Sequence, residues 1–390
     1  MNDPVRENTA DMEAYNLSFI RSDEGLKQIL DELDDLYERS SVRNPYFSPE
    51  WIKCWWKKVK KGTKPMVVIV RDEKKKLAGF WPFVERPGIL WSKGLWPMIY
   101  DEANYFEPIA MKEVVPFLIE GLKSKLKEFQ FFWLPLIRDP FWKKYFQTEL
   151  LSSKFLYLAR IPRKTSIMES EPCDFHDFWL KKMGAKSRKS LRYDKKNLRE
   201  KGDVEIQIAS DEKEVRSLLP ASCLVEVNSW KSEQVTGLYS IRGKRAFFFD
   251  LLPMLAKKGR VRVSMIRVDD EPIAWEVDLL DKKFMGVHNL SYDQRWKKFS
   301  PGRQLMEKNL ENAWNEGRCI DFLPGNLNYK EKVATKIEPV HELHFFKKSI
   351  RGLLAKRLIL WNRKIRKKII LSGKPTKASE SLRKSLEMVD

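Results

Sequence analysis

The stretch from Gly259 to about Lys332 constrains the chain most. Val261 to Val268 alternates β-branched and polar residues, as a strand with one buried face does. Asp269-Asp270-Glu271-Pro272 is turn chemistry, and Ile273 to Leu280 reads as the returning strand. Lys282-Lys283 closes a second hairpin onto a third strand, Phe284 to Leu290. A polar, aromatic loop then ends in Ser300-Pro301-Gly302-Arg303. That tetrapeptide predicts a helix start: Ser300 as cap, Pro301 at the first helical position, and Gly302 where backbone comes close to a ligand. Met306, Leu310, Ala313 and Trp314 give the helix one apolar face, Gly317 ends it, and Cys319 to Leu323 begins another strand.

A helix opened by a small-residue loop presents unpaired N–H groups and the positive end of its dipole, which suits a pyrophosphate. An ordinary helix cap looks the same, so the flanking pattern has to decide. Tyr292-Asp293, Ser300-Pro301-Gly302 with Leu305, Gly317, Asp321-Phe322, Gly325 and Tyr329-Lys330 together resemble the acyltransferase domain of the GNAT superfamily. The resemblance is nearest to the exopolysaccharide and cellulose-synthesis branch, related to the Fem-type peptidyltransferases, and covers about residues 44 to 345. It departs from the usual loop, Arg/Gln-x-x-Gly-x-Gly/Ala, in carrying Gly302 beside Ser300 and Pro301.

This resemblance implies an α+β fold of two tandem GNAT-like domains, with mixed, mostly antiparallel sheets flanked by helices. The expected division is a tail at 1–15, a non-catalytic copy at 16–165, a copy with the acyl-CoA loop at 166–345, a basic amphipathic helix at 346–371 and a tail at 372–390. The first copy opens with helices at Asp23–Arg39 and from Pro49, with Ser48 as cap. It continues with a hairpin across Asp72–Lys76 and a strand at Phe131–Ile137, but has no glycine-bearing loop of the Ser300–Arg303 kind. Asp174 is expected to cap one basic helix running from Phe175 to Glu200.

Acyl transfer to an amine needs a donor held by its phosphates, removal of the amine proton, and polarisation of the carbonyl. Ser300, Pro301, Gly302, Arg303 and Gln304 are the expected acyl-CoA loop, the donor being acetyl-CoA or another acyl-CoA. The strands at Ile273–Leu280 and Phe284–Leu290 are expected to splay around the pantetheine arm, their N–H groups polarising the thioester. Glu276 and His288 are the candidate bases by position, His288 having the ordinary pKa for proton transfer near neutrality. Asp321 and Lys330 match the branch's D-F-x(2)-G-x(3)-Y-K pattern, in which a lysine stabilises charge on the donor or intermediate. A structural salt bridge between these two is the equal alternative. Trp230, Tyr292 and Tyr329 are the expected acceptor-side residues.

The charge of +20 calls for a polyanionic partner or surface. No metal is expected, because the four cysteines lie far apart without a CxxC pair and there are only four histidines. The N-terminus lacks an apolar signal core and no apolar run is long enough to span a membrane, so a reducing cytoplasm is expected. From Phe346 to Leu371 there is no acid among ten lysines and arginines, which suits an anionic membrane surface at the inner face. The function expected is N-acylation of an amino sugar or similar amine in surface-polysaccharide assembly. The alternatives are Fem-type transfer from aminoacyl-tRNA to a cell-wall precursor, or a non-catalytic, membrane-docked scaffold.

Overall fold

The computed structural model describes residues 15–59, 63–87, 93–98, 103–125, 128–146, 156–234, 237–239, 242–324 and 328–371. Two compact units are present, one made of residues up to Arg163 with Pro339–Arg366, the other of Lys164–Glu338.

In the first unit, β1 (Tyr15–Ile20) leads into α1 (Asp23–Arg39), whose start is capped by Ser22 accepting from the Gly25 amide. The helix buries Leu26, Ile29, Leu30, Leu33 and Leu36 on one face, as its spacing predicts. α2 (Pro49–Val59) starts at Pro49, with Ser48 Oγ accepting from the Trp51 N–H at 3.3 Å. β2 (Lys64–Asp72), β3 (Leu77–Pro87), β4 (Lys93–Pro97), β5 (Ile109–Ala110), α3 (Val115–Lys125), β6 (Phe131–Arg138) and α4 (Asp139–Tyr145) follow. The sheet order is β1-β2-β3-β4-β6, with β5 beside β3, and among the described residues of this unit only β4 and β6 run parallel. Trp51, Trp55, Phe80, Trp81, Phe83 and Phe106 are wholly buried, and Trp81 Nε1 donates to the Phe106 carbonyl at 3.0 Å.

The second unit holds β7 (Leu156–Met168), of which residues 164–168 belong here, then α5 (Phe175–Lys182), α6 (Ala185–Arg199), β8 (Val204–Ala209), α7 (Glu212–Val227), α8 (Trp230–Gln234) and α9 (Arg242–Ala256). β9 (Val261–Val268), β10 (Glu271–Asp281), β11 (Phe284–Tyr292), α10 (Pro301–Asn315), β12 (Cys319–Asp321) and α11 (Asn328–Val333) complete it. Its sheet runs β7-β12-β11-β10-β9-β8, and only β11 and β12 are parallel. Each unit therefore has an antiparallel run of strands, then one parallel partner reached across a helix. This is the tandem α+β class expected from the sequence.

One basic helix over 175–200 is not what forms. The chain breaks at Met183 and Gly184: α5 ends with the Met183 N–H on the Trp179 carbonyl, and Gly184 starts α6 in extended backbone. Phe175, Phe178 and Trp179 face the core, whereas α6 buries only Leu191 and Leu198, so the two apolar stripes require different axes.

The last elements are β13 (Lys336–Lys347) and α12 (Ile350–Leu371). From Val340 to Phe346, β13 pairs antiparallel with β6. Neither β7 nor β13 stands out in the sequence, since Arg160, Pro162, Arg163 and Lys164 interrupt the first and Glu338, Pro339 and Glu342 the second. α12 rests on its small residues. Gly352 is buried, and a Cβ there would lie 1.9 Å from the Lys347 carbonyl oxygen, while Ala355 packs with Phe131, Ala159 and Phe346.

Trp314 joins α10 to α5: its ring lies 4.3 Å from Phe178, and its Nε1 donates to the Cys173 carbonyl at 3.1 Å. Trp314→Ala is expected to cost about 3–5 kcal/mol, seen as a lower urea midpoint at unchanged slope.

Candidate active site

Ser300 has left-handed backbone (φ 51°, ψ 45°) and makes no side-chain cap, contrary to the sequence expectation. That conformation turns its hydroxyl towards α6, where Oγ donates to Asp194 Oδ2 at 2.9 Å. The Ser300 carbonyl accepts from the Arg303 and Gln304 amides instead. Pro301 stands at the first helical position as expected. The Arg303 guanidinium donates to Ser187 Oγ (2.7 Å) and its carbonyl (3.0 Å), and Gln304 Nε2 donates to the Phe299 carbonyl. Pro301 has no N–H and the Ser300 amide donates to Lys297, so Gly302 supplies the first-turn amide left for a ligand. A Cβ on Gly302 would stand 3.0 Å from the Tyr292 ring, tighter than ordinary contact, and 3.8 Å from Leu290, so a side chain there would press on Tyr292 where the helix start meets β11.

The expected splay of β10 from β11 is not found. The two pair from Ala274↔Tyr292 to Asp281↔Phe284, with one bulge that leaves His288 as the extra residue. The split lies between β11 and β12, which pair only at Phe284↔Cys319, Met285↔Ile320 and Gly286↔Asp321. The Asp293 amide donates to the Ile273 carbonyl and fixes the phase of the ladder. Asn289 and Ser291 thus turn their backbone groups to β10, and Leu290 turns its own to the split.

Lys231 of α8 reaches that edge. Its ammonium donates to Asn289 Oδ1 and, at 2.7 Å, to the Leu290 carbonyl. Glu226, buried at the end of α7, holds the same corner. Oε1 accepts from the Leu238 amide (2.6 Å), and Oε2 from Trp275 Nε1 (3.0 Å) and Asn289 Nδ2 (3.4 Å). On the other side of the split, Lys330 Nζ donates to the carbonyls of Phe322 (2.5 Å) and Leu323 (3.1 Å), which leave β12 through a left-handed Leu323 (φ 58°). Asp321 Oδ1 accepts from Thr165 Oγ1 (2.5 Å) and the Leu323 amide (2.8 Å). Lys330 therefore donates to carbonyls, and Asp321 acts on it from further away. Burial pushes Lys330 down to about 8, with Asp321 opposing and Lys231 adding to the shift. Burial also lowers Lys231, against the pull of Glu226 and Glu276.

Glu276 lies wholly buried beneath α10, beside Asp278 and Asn309. The two acids alternate along β10 and share a face. Burial, then Asp278, drives Glu276 well above the carboxylate range, and burial raises Asp278 to about 7. His288 faces α9, its ring 5.6 Å from Phe248. Burial, Lys231 and Lys244 push it down to about 3, so the imidazole is neutral. Trp230 opens α8 half-buried, its ring centre 6.0 Å from Lys231 Nζ. Tyr292 lies against Gly302; the Tyr329 side chain and Gly325 are outside the described residues.

The structure thus brings Asp321 and Lys330 to the split, and sets Tyr292 and the Ser300–Gln304 loop at the neighbouring start of α10. It puts Glu276 and His288 on opposite faces of the sheet. Lys231, Glu226 and Asn289 were missed; the Ser229-Trp230-Lys231 run was their only signal, and it drew attention to Trp230. Among the described residues, no group of three or more His, Cys, Asp or Glu is placed to hold a metal ion.

Residues 185–331 match the family model described as acetyltransferase (GNAT) domain. The match covers less than half of the chain, and over it the segment resembles a GNAT acyltransferase domain. A sequence search of curated proteins gives no match. Among solved structures, FemX is similar with a TM-score of 0.53 at 10% identity, over 84% of this chain and 96% of that one. The C-terminal domain of a putative lysylphosphatidylglycerol synthetase from Agrobacterium fabrum gives 0.51 at 11%, over 85% and 95%. L-PGS from Bacillus licheniformis gives 0.50 at 10%, over 83% and 94%. At these identities the likeness is one of fold.

The raised Asp278 has a consequence for stability. A carboxyl whose folded pKa exceeds its unfolded value favours the folded state fully below the unfolded pKa, and that contribution is lost as pH rises through about 7. Asp278→Asn is expected to raise Tm by about 2–6 °C at pH 8, by less at pH 5 and not at all below about pH 4, read by calorimetry.

Proposed function

We propose that the second unit transfers an acyl group from acyl-CoA, acetyl-CoA or a longer ester, to an amine. The observation that carries this reading is the open edge of β11 beyond Gly286, inside a segment matching the GNAT domain and beside the helix start at Gly302. The pantetheine arm lies along the backbone groups that Leu290 turns to the split, and the diphosphate sits at the Gly302 amide with Arg303 beside it. The amine attacks the thioester carbon, the carbonyl oxygen takes negative charge, and the C–S bond breaks to release CoA thiolate. Burial and Asp278 press Glu276 towards its protonated form, which disfavours it as base, and His288 is neutral but weakly basic. The amine proton therefore leaves late, from the tetrahedral adduct to water or the departing thiolate.

The acceptor we favour is an amino sugar or similar amine of a surface polysaccharide, worked on at the cytoplasmic face of the membrane. α12 supports that location. With Gly352 and Ala355 turned inward, Ile350, Leu353, Leu354, Leu358, Leu360 and Trp361 are left exposed on the opposite arc together with Arg357, with Arg351 and Lys356 at its margins. No helix among the described residues is long and apolar enough to cross a membrane, so this face lies along a surface. A second reading, transfer from aminoacyl-tRNA, is favoured by exposed Lys186, Lys189, Arg192, Lys196 and Arg199 on α6. A salt-sensitive gel shift with tRNA, insensitive to CoA, would support that reading over the first.

Calorimetric titration with acetyl-, butyryl- and longer acyl-CoA is expected to show one site, with about 2.7 kcal/mol of stabilisation at a hundredfold excess over Kd. Gly302→Val, which drives a side chain into Tyr292, is expected to weaken binding at least about tenfold. Failure of every ester to bind, or unchanged binding by Gly302→Val, counts against this donor. Trp361→Glu is expected to abolish co-sedimentation with phosphatidylglycerol vesicles; equal binding to phosphatidylcholine vesicles would remove the membrane assignment.

A further inference from the structure

Two ammonium groups flank the split, and among the described residues neither has a carboxylate within ion-pair reach. Lys231 is fastened to the β11 side, three and four residues beyond the last position paired with β12. Lys330 is fastened one and two residues beyond that position on the β12 side. Their partners are all neutral: one side-chain amide and three backbone carbonyls. An ammonium has three N–H groups and each of these uses two, so each retains one. The acids nearby are committed elsewhere, Glu226 to Leu238, Trp275 and Asn289, and Asp321 to Thr165 and Leu323.

Two like charges, Lys330 buried and Lys231 half-buried, without a contact counter-ion are costly, and a lysine whose work was to tie down a carbonyl would do it as well from solvent. Both ammoniums are pressed towards their neutral forms, Lys330 in part by Lys231 itself. An anionic group received at the split offsets that repulsion and can accept the remaining N–H of each. The donor's own phosphates are provided for at Gly302 and Arg303, next to Leu290 but on the α10 side of β11.

We infer that Lys231 and Lys330 form an anion subsite in the split, and that it receives a carboxylate or phosphate carried by the acceptor amine. The inference rests on the acyl-CoA reading above for which substrate brings the anion, though not for the subsite itself. It narrows the acceptor to amines with an acidic group near the reacting nitrogen. Glu226 is a positioning residue in this arrangement: it holds Asn289, and Asn289 holds Lys231.

The test is calorimetric titration of the full chain, saturated with CoA, with sodium acetate and with inorganic phosphate at fixed ionic strength and pH 7. Wild type is expected to bind one of the two at a single site, acetate pointing to a carboxylate and phosphate to a phosphoryl group. Lys231→Met and Lys330→Met should each weaken that binding at least about tenfold, Lys231→Arg should retain it, and acetyl-CoA affinity should change less than about threefold. Raising the pH from 7 to 9 should weaken it about tenfold as Lys330 loses its proton. Absence of anion binding in wild type, or equal binding by the Met variants, overturns the subsite. Parallel loss of acetyl-CoA and anion affinity overturns the acceptor assignment and gives the lysines to the donor. Anion binding through both lysines by a chain that binds no acyl-CoA upholds the subsite and removes the donor reading. Should the Met variants fail to fold by circular dichroism, the pH titration of wild type decides: affinity that holds from pH 7 to 9 overturns the inference.

Discussion

β12 accompanies β11 for three residues and then leaves it, so a strand in the middle of a sheet has one edge without a neighbour. Backbone donors and acceptors so exposed must find water, ligand or side chains. Here the nearest side chain is a lysine from α8, and its counterpart from α11 holds the departing strand's carbonyls. The short parallel pairing and the left-handed Leu323 open the sheet here, and the two lysines hold the carbonyls of Leu290, Phe322 and Leu323 that the opening exposes. α10 runs alongside because Gly302 lets its start sit against Tyr292 and Leu290.

Much of this order was legible in the chain. Alternation in Val261–Val268 and the Asp269-Asp270 turn place β9 and β10, and Ser300-Pro301-Gly302 marks the start of α10, because these signals are local. Which two strands part is a matter of long-range register, and no residue between 273 and 290 carries it. Ser300 illustrates another limit: its type suits a cap, but left-handed backbone turns the hydroxyl to Asp194. Lys231 was hidden by abundance, one cation among 74 lysines and arginines, and only burial beside Asn289 sets it apart.

The polar groups inside the second unit fall into two sets with different fates. Lys231 and Lys330 stay at the split, where a ligand can reach them. Glu276 and Asp278 are sealed under α10, and shedding charge is their response to burial. Position along β10 alone makes Glu276 look like a base, but depth decides the protonation state and hence the role. His288, one strand away, reaches neutrality by the opposite shift.

At Glu226 one carboxylate fastens three segments distant in sequence. It grips the main chain at Leu238, the indole of Trp275 in mid-sheet and the amide of Asn289 on the exposed strand. Gly237 passes so near that a methyl there would stand 2.4 Å from the acid's oxygen. Any displacement of the 237–239 segment is thereby felt at the tip of Lys231 through two rigid links. A loop with no chemistry of its own becomes a lever on the ammonium's aim.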